Sequence, residues 1–238
     1  MAISRAAGRV LRLLFATLLL VRRPRPIHAR GRMLEGRITW LGNPVRSGIV
    51  WIDGERDASV PVVARLSRGI GLPPVFPDII GLALRLDVGG RPADLELAST
   101  GFGVPGRFML VPHRSPARAT LGTLVPYRGP SGPVLVCART LTPPDLAAGG
   151  QPLDAALSDG EWRLRLYHAG PARKWHPFAD LSLREAPDRA DDLRFDAVVR
   201  PIPGAGSYRW VRAARQPSYD LTQREQPAHT PAKSSSST

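Results

Sequence analysis

Three groups of side chains in this sequence are of a type and spacing that can do chemistry. His28 lies in Pro26-Ile27-His28-Ala29-Arg30-Gly31. Arg65 and Ser67 follow 37 and 39 residues later, in Val63-Ala64-Arg65-Leu66-Ser67. Arg215-Gln216-Pro217-Ser218-Tyr219 pairs a cation with a phenol at a spacing of four. An imidazole titrates near neutral pH, so it can take a proton from one atom and return it to another. Residues two apart on a strand share a face, so Arg65 and Ser67 present an anion-pairing guanidinium beside a hydroxyl. On a helix, positions i and i+4 share a face, and Arg215 would there lower the pKa of Tyr219. Pro217 sits inside that motif.

Other constellations carry less. His168, His176 and Glu161 lack metal-ligand spacing. Gly69-Ile70-Gly71 runs into prolines rather than a helix, against a dinucleotide loop. Ser67, Ser99 and Ser115 stand in no nucleophile-elbow motif. Asp188, Asp191 and Asp192 read as a solvated turn. The single cysteine, Cys137, excludes an internal disulfide, and its apolar run predicts burial.

The 238 residues carry a net charge of +13, which points to acidic partners such as nucleic acid or anionic lipid. Codon supply offers a second cause. Lys174 and Lys233 are the only lysines and Asn43 the only asparagine, the composition of a GC-rich bacterial genome. The charges are scattered apart from Arg22-Arg23-Pro24-Arg25, so no specific nucleic-acid site is expected. Residues 8–21 read as a helix with arginines before the apolar run Leu13–Val21. That run is too short to span a bilayer. Cleavage as a signal peptide near Ala29 would remove His28. The segment is expected to pack on the protein or to lie on an anionic membrane surface, in a cytoplasmic protein with possible peripheral contact.

These side chains need elements to position them. Arg37-Ile38-Thr39-Trp40-Leu41 and Glu161-Trp162-Arg163-Leu164-Arg165-Leu166-Tyr167 alternate with period two, the pattern of half-buried strands. Further strands are expected over 48–52, 60–66, 80–87, 93–98, 107–112, 133–140 and 178–184, separated by Gly/Pro-rich turns. Helices are expected over 141–158 and 207–225. The sequence predicts a mainly β (α+β) protein, an antiparallel closed barrel over about residues 34–185 with helices at both ends. Three regions follow: a basic, apolar helix and linker over 1–26, the barrel domain with its C-terminal helix over 27–226, and a disordered Pro/Ser/Thr-rich tail over 227–238. Trp40, Trp51, Trp162, Trp175 and Trp210 are expected to fill core and rim.

The spacing of His28-Ala29-Arg30-Gly31 and Val63-Ala64-Arg65-Leu66-Ser67 resembles the distal pocket of the haem catalases, in particular short bacterial catalase-like proteins. Pro77 to Arg85 and Ala93-Asp94-Leu95 extend the resemblance, which covers roughly residues 27–112. It implies the closed barrel, haem b as cofactor and a hydroperoxide as substrate. It implies His28 as the catalytic acid–base group over the iron, Ser67 as the residue orienting it, and Arg65 as partner of a haem propionate. It implies Tyr219 as the axial metal ligand, with Arg215 activating it. Where the family has a distal asparagine, this chain has Ala98 and Ser99, and Ser99 can supply one hydrogen bond. The expected function is therefore a haem peroxidase of (organic) hydroperoxides with reduced or absent catalase activity. The alternative is a haem-free catalase-fold module that binds another small ligand or a partner. A phosphodiesterase activity has no metal cluster in the sequence to support it. The oligomeric state stays open.

Overall fold

Period-two alternation lays apolar side chains on one face of each of eight strands, and those faces meet inside a closed barrel. The computed structural model describes residues 31–42, 44–147, 151–158, 160–186 and 193–211. The strands are β1 (Gly31–Trp40), β2 (Ser59–Arg68), β3 (Ile80–Val88), β4 (Arg91–Thr100), β5 (Thr120–Gly122), β6 (Tyr127–Gly129), β7 (Gly132–Thr142), β8 (Trp162–Ala169) and β9 (His176–Glu185). All pair antiparallel, in the order β5-β4-β3-β2-β1-β9-β8-β7-β6. β5 also pairs with β7, which closes eight strands into a barrel and leaves β6 as a hairpin arm on β7. Closure removes the open edges that would otherwise recruit other chains.

Register fixes the core. Ala64, Leu84 and Leu95 stand opposite one another on β2, β3 and β4, and each is fully buried. Ile38, Leu181 and Leu164 repeat this across β1, β9 and β8. A one-residue slip would turn every one of these side chains outward, so burial holds the register. Trp40, Trp51 and Trp162 are buried, Trp40 and Trp51 meeting edge to face at 5.6 Å. Trp175 and Trp210 are half-buried.

Three expected elements differ. Residues 48–52 form a turn rather than a strand. The Asp53 carboxylate accepts the Ser47 and Gly48 N–H groups at 2.8 Å each, and Gly48 has φ +84°. The apolar run there caps the barrel, with Ile49 and Ile52 fully buried. Residues 107–112 are not a strand. Gly106–Phe108 is a 3-10 turn, after which only the single bridge Thr100–Leu110 touches β4. The helix expected over 141–158 is confined to α1 (Gln151–Ser158), because Leu141 and Thr142 complete β7 and two prolines follow. The helix over 8–21, the tail over 227–238, the acidic run 188–192 and most of 207–225 lie outside the described residues. The described residues up to Tyr208 belong to one compact unit.

Candidate functional site

β2 positions Arg65 and Ser67. Its even-numbered residues Ala64 and Leu66 point into the core, so the odd positions face the outer wall. Ser67 stands opposite Gly31 on β1 and Gly81 on β3. Gly81 in turn faces Ala98 on β4, and Ala98 faces Gly122 on β5. Gly31, Ser67, Gly81, Ala98 and Gly122 thus form one row across five strands, with nothing larger than serine. The next row is Met33, Arg65, Ala83 and Glu96.

The fit within this surface is tight. A Cβ at Gly81 would lie 2.7 Å from the Ser67 Oγ, and one at Gly31 would lie 2.4 Å from the Arg65 guanidinium carbon. Arg65 therefore lies across Gly31, and Ser67 fills the space over Gly81. The Ser67 hydroxyl donates to the Gly81 carbonyl at 3.4 Å, a long contact, and the residue is buried. The row is thus a shelf of small residues, with the Arg65 guanidinium across its Gly31 end and the Thr100 hydroxyl against its Gly122 end.

Of the residues expected to act together, the structure brings Arg65 and Ser67 onto one face and separates Ser99 from them. Ala98 occupies the row beside Ser67. Ser99, one residue on, has the opposite parity and points inward. It is fully buried, and its Oγ accepts the Ile80 N–H at 3.0 Å. Strand alternation is the cause, and it corrects the expectation that Ser99 shares the site. His28, Arg215 and Tyr219 lie outside the described residues.

Beyond the second row, Asp94 is fully buried on β4. Arg85 reaches it with two bonds of 2.7 and 2.8 Å, Arg200 with one of 2.8 Å, and the Asp196 N–H donates at 2.7 Å. Burial alone would raise this carboxyl. The bonds from Arg85, the Asp196 N–H and Arg200 outweigh it and hold the group below the usual carboxylate range. The cluster pins the segment around 194–200 to the barrel.

Another cluster carries no sequence signal, because its members lie far apart in the chain. Arg107 is 6% exposed, with its guanidinium 4.6 Å from the Trp175 ring centre. It donates to the carbonyls of Gly170 (3.2 Å) and Arg173 (3.0 Å), and its Nε is buried without a partner. Burial lowers its pKa. Cys137 lies nearby, fully buried, its thiol pushed up to about 12 by burial. His168 is buried with its ring 5.7 Å from His176. Burial first, and the neighbouring His176 second, lower its pKa. Among the described residues no group of three or more His, Cys, Asp or Glu is placed to hold a metal ion. No described helix is long and apolar enough to cross a membrane.

No protein-family model and no curated protein sequence matches this chain. Solved structures do. A fungal catalase superposes with a TM-score of 0.64 at 13% identity, covering 87% of this chain and 60% of that one. Catalase A from Saccharomyces cerevisiae gives 0.65 at 13% identity, with coverages of 85% and 61%. A bacterial catalase gives 0.60 at 13% identity, with coverages of 87% and 58%. The chain spans about 60% of the length of these enzymes. At this identity the likeness establishes the fold: a closed antiparallel eight-stranded barrel of the catalase type.

Proposed function

We propose that this protein binds haem b against the outer wall of β1–β4 and reduces organic hydroperoxides, with little or no disproportionation of hydrogen peroxide. The observation that carries this reading is the row Gly31, Ser67, Gly81, Ala98 and Gly122 with Arg65 beside it. Its small residues suit a planar macrocycle, and the Arg65 guanidinium suits a propionate. Tyr219 would hold the iron, with Arg215 lowering its pKa. Haem, when bound, would supply redox chemistry for cleaving a peroxide. His28 would carry a proton between the two peroxide oxygens, and Ser67 would orient its ring. In the net reaction a hydroperoxide takes two electrons and two protons from an organic donor such as a phenol, giving an alcohol and water.

The shelf supports the proposed lack of disproportionation. Splitting hydrogen peroxide needs polar groups that hold both oxygens while a proton moves. Ala98 offers none, and Ser99 is committed to the Ile80 N–H on the other face. One missing transition-state hydrogen bond costs about 2.7–4 kcal/mol, or roughly 10²–10³ in rate. The test compares haem-loaded protein in two assays. Cumene hydroperoxide should be consumed with a phenolic donor, while oxygen release from hydrogen peroxide stays at least a hundredfold below that of a catalase. Oxygen release at the catalase level, or no hydroperoxide turnover, contradicts the proposal.

A further inference from the structure

The loop joining β2 to β3 has an unusual surface. Ile70-Gly71-Leu72-Pro73-Pro74-Val75-Phe76-Pro77 is exposed at every residue and carries no charge. Ile70 is 64% exposed, Val75 69% and Phe76 54%. Contiguous apolar surface of this kind marks a contact site.

Asp78 and Arg68 hold the backbone of this loop from its base. The buried Asp78 carboxylate accepts the N–H groups of Ile70 (2.8 Å), Gly71 (2.9 Å), Leu72 (3.0 Å) and Ile79 (2.7 Å). Arg68 donates to the carbonyls of Leu72, Pro73 and Phe76 at 3.3, 3.3 and 2.8 Å, and pairs with Asp78 at 3.6 Å. The Phe76 N–H bonds the Pro73 carbonyl at 3.0 Å. Pro73, Pro74 and Pro77 have no N–H to satisfy. Four of the loop's five N–H groups and the carbonyls of Leu72, Pro73 and Phe76 are thus bonded, which lowers the cost of seating the loop at the polar–apolar boundary of a bilayer.

Charge selects the kind of membrane. The loop's eight residues carry no acidic side chain, and the buried Asp78 at its base is paired with Arg68. Arg114 is exposed beside His113, whose backbone bonds Asp78 at 3.0 and 2.8 Å at the base of the loop. An apolar tip with exposed positive charge near its base fits an anionic surface.

We infer that the loop Ile70–Pro77 is a membrane-contact element that seats its apolar side chains in the interface of an anionic bilayer. This stands apart from the proposed haem chemistry, and its test needs no haem. The full chain is sedimented with vesicles of phosphatidylcholine alone and of phosphatidylcholine mixed with phosphatidylglycerol. It should partition onto the mixed vesicles, less so in high salt. Val75→Asp and Phe76→Asp change exposed residues, so unchanged thermal unfolding is expected. Each should lower partitioning about tenfold, the scale of losing one buried apolar side chain. Val75→Cys carrying a polarity-sensitive fluorophore should shift to the blue on the mixed vesicles only. Failure of the wild type to bind, aspartate variants that bind like wild type, or a label that stays solvated would each overturn the inference. Loss of a self-associated species in the aspartate variants, without vesicle binding by the wild type, would overturn it in favour of a protein interface.

Discussion

Gly81 and Ser67 face one another across β3 and β2 with no room for a side chain between them: a Cβ at 81 would lie 2.7 Å from the Ser67 Oγ. The hydroxyl must therefore move if residue 81 gains a methyl group. Gly81→Ala should cost about 1–3 kcal/mol, the usual range for overpacking a tight site. Ser67→Ala should relieve much of it. Urea unfolding of the two single variants and the double variant tests this, and the expected coupling is at least about 0.5 kcal/mol. Additive effects would mean that the two residues do not share this space.

Strand parity makes a directional prediction about oxygen release. Ala98→Asn places an amide in the row beside Ser67 and should raise oxygen release from hydrogen peroxide by the haem-loaded protein. Ser99→Asn should not. It displaces the hydroxyl that accepts the Ile80 N–H and adds volume to a fully buried position, so it should lower stability by about 1–3 kcal/mol. An oxygen electrode and a urea titration distinguish the two variants. A gain confined to Ser99→Asn would reverse the assignment of faces.

Alternation made most of the barrel legible: β1 through β4 and β7 through β9 all overlap stretches read as strands from their period. β5 escaped because three residues are too few to display a period, although it closes the barrel. Residues 48–52 misled because their apolar side chains cap the core from a turn held by Asp53. In the candidate site, the shared face of Arg65 and Ser67 could be read from their spacing. The shelf of small residues could not, since it depends on the register of five strands. Ser99 was placed with Ser67 because sequence proximity to Ala98 hides the reversal of face between neighbours.

The Asp94 cluster predicts a specific acid limb. Its carboxyl is held below its unfolded value by Arg85, the Asp196 N–H and Arg200. A depressed folded pKa contributes stability above the unfolded value, about 3.9, and that contribution is lost as pH falls through the folded pKa. Unfolding free energy of the wild type should therefore drop on acidification below about pH 4. Asp94→Asn should be less stable at neutral pH and show a shallower drop in that window. Parallel pH profiles of the two proteins would contradict this.

Cys137 should be chemically silent in the folded protein. It is fully buried and its thiol is pushed up to about 12, so the reactive thiolate is scarce near neutral pH. A maleimide reagent at pH 7.5 should leave it unlabelled until denaturant is added. Rapid labelling without denaturant would mean that β7 opens readily.

The most direct test of the account is the visible spectrum of the 238-residue chain titrated with haem. The account predicts a Soret band that saturates at one haem per chain, with weaker binding in Gly81→Leu, which puts a large side chain into the shelf, and in Arg65→Ala. It also predicts loss of the tyrosinate-ligated spectral signature in Tyr219→Phe. No saturable Soret band, or a band indifferent to Gly81→Leu and Arg65→Ala, would contradict haem binding at this wall and favour a haem-free module on the same barrel.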